Sequence, residues 1–127
     1  MKEAYKKFYK KFRFNLSANN NPVFIGFYRY LYSPSKGSVS AFLDDFSKLH
    51  DTVNVVQIGA NDGITHDPIH KFIKRDRWNG VLLEPQKHVF PALEKLYAKN
   101  NGIKTLNAAL GDSDGKTYLY KIGFSNS

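Results

Sequence analysis

The apolar positions follow three different rhythms along the chain. Tyr5, Phe8, Tyr9, Phe12 and Leu16 recur every three or four residues. That spacing predicts a helix over residues 1–16 with one aromatic face. Ser17-Ala-Asn-Asn-Asn-Pro22 breaks the pattern as a polar linker, and Ser33-Pro-Ser-Lys-Gly37 breaks it again. Between the breaks, Pro22 to Tyr32 is aromatic, short and interrupted by Arg29. It reads as a helical or irregular segment that docks on the core. Ser38 is placed to cap a helix over about Val39 to His50, with Phe42, Leu43, Phe46 and Leu49 on one face. Residues 17–52 thus form a linker with leading helices.

From residue 53 the rhythm shifts to short apolar runs. Val53-Asn-Val-Val-Gln-Ile58 predicts a strand buried on both faces. A turn bounded by Gly59 and Gly63 follows. Asp67-Pro68 reads as a helix start, with Asp as the cap and Pro in the first helical position. Gly80-Val-Leu-Leu-Glu84 predicts a second strand, Val89 to Lys99 a helix, and Ile103 to Leu110 a third strand. Asp112-Ser-Asp-Gly115 predicts a hairpin turn into a strand over Lys116 to Ile122. Strands alternating with helices argue for parallel β-α-β units, one half of a doubly wound sheet. Ligands of such sheets bind beyond the carboxyl ends of the strands.

Composition narrows the classes. With 127 residues, 42% of them hydrophobic, the chain suits one packed domain and is not wholly disordered. No run of 18 apolar residues predicts a spanning helix. The absence of cysteine excludes a disulfide scaffold, a thiolate metal site and a cysteine nucleophile, and it fits a cytoplasmic setting. The net charge of +8 is local. Lys2, Lys6, Lys7, Lys10, Lys11 and Arg13 face one acid, Glu3, within residues 1–13. Such a basic amphipathic helix lies on an anionic membrane surface, or packs its aromatic face on the domain with its lysines in water. Nucleic acid is not the expected partner, since the rest of the chain carries little excess charge.

The candidate chemistry sits at the strand ends. Gly59 and Gly63 bracket the turn leaving the first strand, where glycine permits positive φ and close approach of a ligand. Turn amides there suit polar or anionic groups. Glu84 ends the second strand, 21 residues after Gly63. A carboxylate suits the two neighbouring hydroxyls of a ribose, and the separation matches nucleotide-binding β-α-β units. After Gly59 and Ala60, Asn61 stands where a pyrophosphate-binding turn has its middle glycine, so S-adenosylmethionine fits better than a dinucleotide. Asp62 reads as a turn former. His66 and His70 are four apart, but Pro68 between them puts His66 before the helix and disfavours a metal site.

Together, Val55–Gly63, His66-Asp67-Pro68, Trp78-Asn-Gly-Val-Leu-Leu-Glu-Pro85 and Leu106-Asn-Ala-Ala-Leu-Gly-Asp112 resemble the FkbM-type family of S-adenosylmethionine-dependent methyltransferases. The resemblance covers roughly residues 53–122. It implies a Rossmann-like class I methyltransferase fold and O-methylation of a hydroxyl on a sugar, glycan or natural product. By position it implies cofactor contacts at Gly59, Ala60, Asn61 and Gly63, ribose binding at Glu84, and Asn107 and Ala108 near the adenine edge. Gln57 stands where this fold often has an acid facing the amino-acid tail of the cofactor. An amide there can bond the ammonium only without charge assistance.

The segment that shapes the acceptor end in this family, a Lys-Ile-Asp-Val-Glu-Gly-like stretch, has no counterpart in the sequence, and no catalytic residue is nominated. Residues 53–127 are therefore expected to be the amino-terminal half of a methyltransferase domain, shortened after the third core strand and a hairpin strand. An open strand edge in such a fragment would favour self-association. The competing readings are a non-catalytic nucleotide-binding or membrane-associated scaffold and a nicotinamide-dependent sugar-modifying enzyme.

Overall fold

A computed structural model describes residues 2–116. Helix α1 spans Lys2–Ala18, and a short α2 spans Pro22–Gly26. The Asn21 side chain accepts from the amides of Val23 and Phe24, and Pro22 takes the first helical position, so α2 starts sharply. A π-helical turn, Phe27–Leu31, continues it. This aromatic segment docks on the body: Arg29 donates to the Arg75 carbonyl, and Phe24 lies 6.2 Å from the His70 ring. Helix α3, Val39–Leu49, begins at Ser38, whose hydroxyl accepts from the Ala41 amide at 3.1 Å.

The body is β1 (Asn54–Ile58), α4 (His70–Asp76), β2 (Asn79–Leu83), α5 (Phe90–Tyr97) and β3 (Ile103–Leu106). The three strands are parallel in the order β1-β2-β3, with Gln57 beside Leu82 and Leu82 beside Thr105. The architecture is thus α/β, a parallel sheet with flanking helices, compatible with a Rossmann-like fold. The core lies on one sheet face, where Leu82 meets Phe72 and Ile73 of α4 and Leu93, Leu96 and Tyr97 of α5. Val55 and Ile103 pack against the same cluster. Gly80 lets β1 and β2 close together, since a Cβ there would overlap the Val55 carbonyl.

Four sequence expectations are corrected. β1 is not buried on both faces: Val56 and Ile58 are 68% and 57% exposed, because both crossover helices pack on the opposite face. β3 ends at Leu106, where Asn107 turns to hydrogen-bond the neighbouring strand end. α4 starts at His70, two residues after Pro68. α3 turns Asp44 and Ser47 inward, and of its predicted apolar face Leu43 packs against the core. Asp44 binds Arg75, and Ser47 accepts from the Trp78 indole at 2.9 Å, leaving Phe42 and Leu49 exposed. The hairpin strand expected over Lys116 to Ile122 lies outside the described residues, apart from Lys116.

Charge is managed by pairing in one place and by neutral acceptors in another. Burial raises the Asp44 carboxyl, but Arg75 and Lys48 outweigh it and hold the group below the ordinary carboxylate range. Lys74 is buried with no carboxylate partner among the described residues. Its Nζ donates to Asn20 Oδ1, the Leu96 carbonyl and Asn100 Oδ1 at 2.6–2.8 Å, while burial pushes its pKa down to about 7. These bonds tie the linker after α1 to both crossover helices.

Candidate functional site

The carboxyl ends of β1, β2 and β3 meet at Glu84. The turn after β1 folds back over β2, with the amides of Gly59 and Ala60 both donating to the Leu83 carbonyl at 2.9 Å. Gly59 takes φ 75° and Asn61 φ 54°. This left-handed path aims the Asn61 amide at Glu84 Oε1, 2.8 Å away. Glu84 Oε2 accepts from the Gln86 amide at 2.9 Å. Asn107 Nδ2 donates to the carbonyls of Glu84 and Pro85 at 2.9 and 3.1 Å, which fixes the end of β3 to the end of β2. Asn61, Glu84 and Asn107, expected at one site, are therefore linked by hydrogen bonds.

The two glycines have different jobs. A Cβ on Gly59 would meet nothing within 4 Å, so its backbone borders open space. A Cβ on Gly63, at φ 84°, would come within 2.7 Å of Leu93 and 2.8 Å of Leu96. Gly63 thus seats the turn against α5, and its surroundings are packed side chains. Ala60 is buried against the core, while Ala108 is half-buried and Asn107 exposed beyond β3.

Glu84 is only 1% exposed. Each carboxylate oxygen already takes one backbone amide and keeps one further acceptor position. A diol reaching those positions requires the 59–63 turn or the Gln86 loop to shift.

Gln57 projects to the helix-covered side of β1. Its Nε2 donates to Asp67 Oδ2 at 2.9 Å, while its Oε1 is buried with no hydrogen-bond partner among the described residues. An orphaned acceptor of this kind is uncommon in a folded protein and marks a place for a donor. Asp67 does more than cap: Oδ1 accepts from Ile69 and His70 amides, while Oδ2 holds Gln57. Burial raises the Asp67 carboxyl above its ordinary value, with those hydrogen bonds opposing. The sequence offered only the capping role, since nothing in a ten-residue separation announces the pair.

Asp62 forms the turn as expected. It accepts from the Ile64 and Thr65 amides and the Thr65 hydroxyl. Burial raises its pKa, but these bonds prevail and lower it. The two histidines part company. His66 is exposed at φ 53°, whereas His70 is buried with Nε2 2.6 Å from Ser17 Oγ. Burial, then the cations Arg13, Lys74 and Lys71, hold His70 down to about 3. Among the described residues no cluster of His, Asp or Glu is arranged for a metal ion.

A hollow of about 510 Å³ beside Arg29, Asp51, Val53, Arg77 and Trp78 lies at the opposite end of the strands. It borders the amino ends of β1 and β2, away from the glycine turn and Glu84. The chemistry of the strand ends therefore gives the better candidate site. Comparison with family models, curated proteins and solved structures yields no significant match.

Proposed function

We propose that the strand ends form the cofactor side of an S-adenosylmethionine-dependent O-methyltransferase, with a sugar, glycan or natural-product hydroxyl as acceptor. The observation that carries this reading is the orphaned Gln57 Oε1, beside the Gln57–Asp67 pair at the start of the glycine turn. The cofactor's amino-acid tail carries an ammonium, the kind of donor this oxygen lacks. Asp67 brings to this place the negative charge that Gln57 itself does not have. Gly59 borders open space, which suits the close approach of a ligand to backbone. Asn61 in place of a middle glycine favours a cofactor without a pyrophosphate.

In this reading Glu84 accepts the ribose hydroxyls through its remaining lone pairs once the adjoining loops give way. Asn107 holds the third strand end in register, with Ala108 beside the adenine edge. When bound, S-adenosylmethionine supplies an activated methyl group on its sulfonium. The protein's part at this end is to bind and orient it.

Titration calorimetry tests the reading with S-adenosylhomocysteine and NAD as probes. Binding of S-adenosylhomocysteine, weakened about tenfold or more in Gln57→Leu and in Glu84→Gln, is the expected result. NAD binding alone would replace the proposal with a nicotinamide-dependent enzyme. No binding of either would leave a non-catalytic scaffold as the better account. Circular dichroism of both variants separates lost binding from lost folding.

A further inference from the structure

The aromatic stripe of α1 is turned away from the protein. Tyr5, Phe8, Tyr9 and Phe12 are between 53% and 69% exposed. The reason lies at the other end of the helix. Each residue advances the helix by about 100°, so Phe14 points about 160° away from Phe12. Phe14 packs against the core, and Ser17 and Ala18 beyond it are buried. Anchoring that side rotates the stripe outward. The expectation that the stripe packs on the domain is thereby corrected for Tyr5, Phe8, Tyr9 and Phe12, while Leu16 is half-buried.

The stripe also continues past α1. Tyr9, Phe12 and Leu16 border a groove of about 190 Å³ whose other wall is Phe24, Phe27 and Tyr28. Phe27 is exposed beside it. A continuous apolar surface of this kind on a water-facing helix marks an interaction site. Around the stripe the same 100° step places Lys2, Lys6 and Arg13 along one border and Lys11 along the other.

We infer that this surface, the α1 stripe with Phe27, docks on an anionic lipid bilayer. The charge selects the occupant. Six basic residues against one acid in residues 1–13 match an anionic surface. A second copy would bring the same positive field and be repelled. The aromatic rings enter the headgroup boundary while the lysine stems lie along it, with their ammonium groups at the phosphates. No helix among the described residues is long and apolar enough to cross a membrane, so α1 lies in the plane of the interface. This inference is independent of the cofactor reading.

The test is co-sedimentation of the whole chain with vesicles of phosphatidylcholine alone, or with about one-third phosphatidylserine. Binding to the anionic vesicles alone, weakening as salt is raised, is expected. Phe8→Ser with Phe12→Ser should reduce that binding about tenfold or more, since both rings are water-exposed before docking. Lys6→Glu with Lys11→Glu should reduce it about as much. Because these side chains are exposed, circular dichroism should stay unchanged. Equal binding to neutral vesicles, or anionic binding that survives the serine substitutions, would overturn the inference. So would self-association in sedimentation equilibrium, or capture of single-stranded RNA, in a chain that ignores both vesicles.

Discussion

The two faces of the three-stranded sheet are built from the same kinds of residue and meet opposite fates. On one face Leu82 is fully buried, with Val55 and Ile103 packed on the core around it. On the other, Val56 and Ile58 stand largely in water and Leu106 is exposed. Strand alternation decides which residue goes where, and both crossover helices then favour one side. Apolar content in a strand therefore does not tell how many of its faces are covered. The same distinction runs through α1, where Phe14 is packed and Phe12 is not.

The largest effect expected from this asymmetry is at the centre of the covered face. Leu82→Ala removes a fully enclosed side chain beside Phe72, Ile73 and Leu93. It should lower stability by about 3 kcal/mol, read as an earlier urea midpoint with an unchanged slope. A cost below about 1 kcal/mol would mean that the core is not packed as described.

The second effect is a pH dependence confined to the helix side of the sheet. His70 is held neutral down to about pH 3, whereas an unfolded histidine takes a proton near 6.5. Between those values the unfolded chain binds the extra proton, so stability falls as pH falls. The slope is up to about 1.4 kcal/mol per pH unit. Asp67 acts with the opposite sign, because burial raises its carboxyl and the folded state keeps a proton longer. His70→Gln should remove the slope between pH 6.5 and the carboxylate range in unfolding curves. An unchanged slope in that variant would assign it to other groups.

Much of the architecture was legible in the sequence. The β-branched run at Val53–Ile58, the Gly80–Glu84 run and the periodic helix between them were enough to read parallel β-α-β units, which the three-stranded sheet bears out. Ser38 was readable as a cap because capping is local chemistry. Which side of α3 turns inward was not, because Asp44 and Ser47 face the body to meet Arg75 and Trp78, partners 31 residues away. At the strand ends, the spacing of Gly59, Gly63 and Glu84 was visible. The Asn61 amide on Glu84 and the Gln57–Asp67 pair arise from how the turn folds back, which no pattern in the chain encodes.

The turn itself gives a smaller, sharper contrast. Gly63→Ala adds a methyl group where Leu93 and Leu96 already sit, at a φ that disfavours any side chain. Gly59→Ala meets the same backbone strain with open space around it. The first should cost about 2 kcal/mol or more and the second about 1 kcal/mol, measured by denaturant titration. Equal costs would show that Gly63 is not held against α5.

The smallest predicted effect is also the most direct comparison of the two faces, because it uses adjacent residues of one strand. Val55 and Val56 are both β-branched and both paired in the parallel ladder, with Gly80 and Val81 respectively. Threonine keeps the shape and the strand preference but replaces a methyl group with a hydroxyl. At position 55 that hydroxyl enters the packed side, where it loses water, and Val55→Thr should cost about 1 kcal/mol. At position 56 it stays in water, so Val56→Thr should change stability by less than about 0.5 kcal/mol. If Val56→Thr cost as much as Val55→Thr, residue 56 would have to be covered in solution. A dependence of that cost on protein concentration would then identify the cover as another copy of the chain, since association stabilises the folded state by mass action.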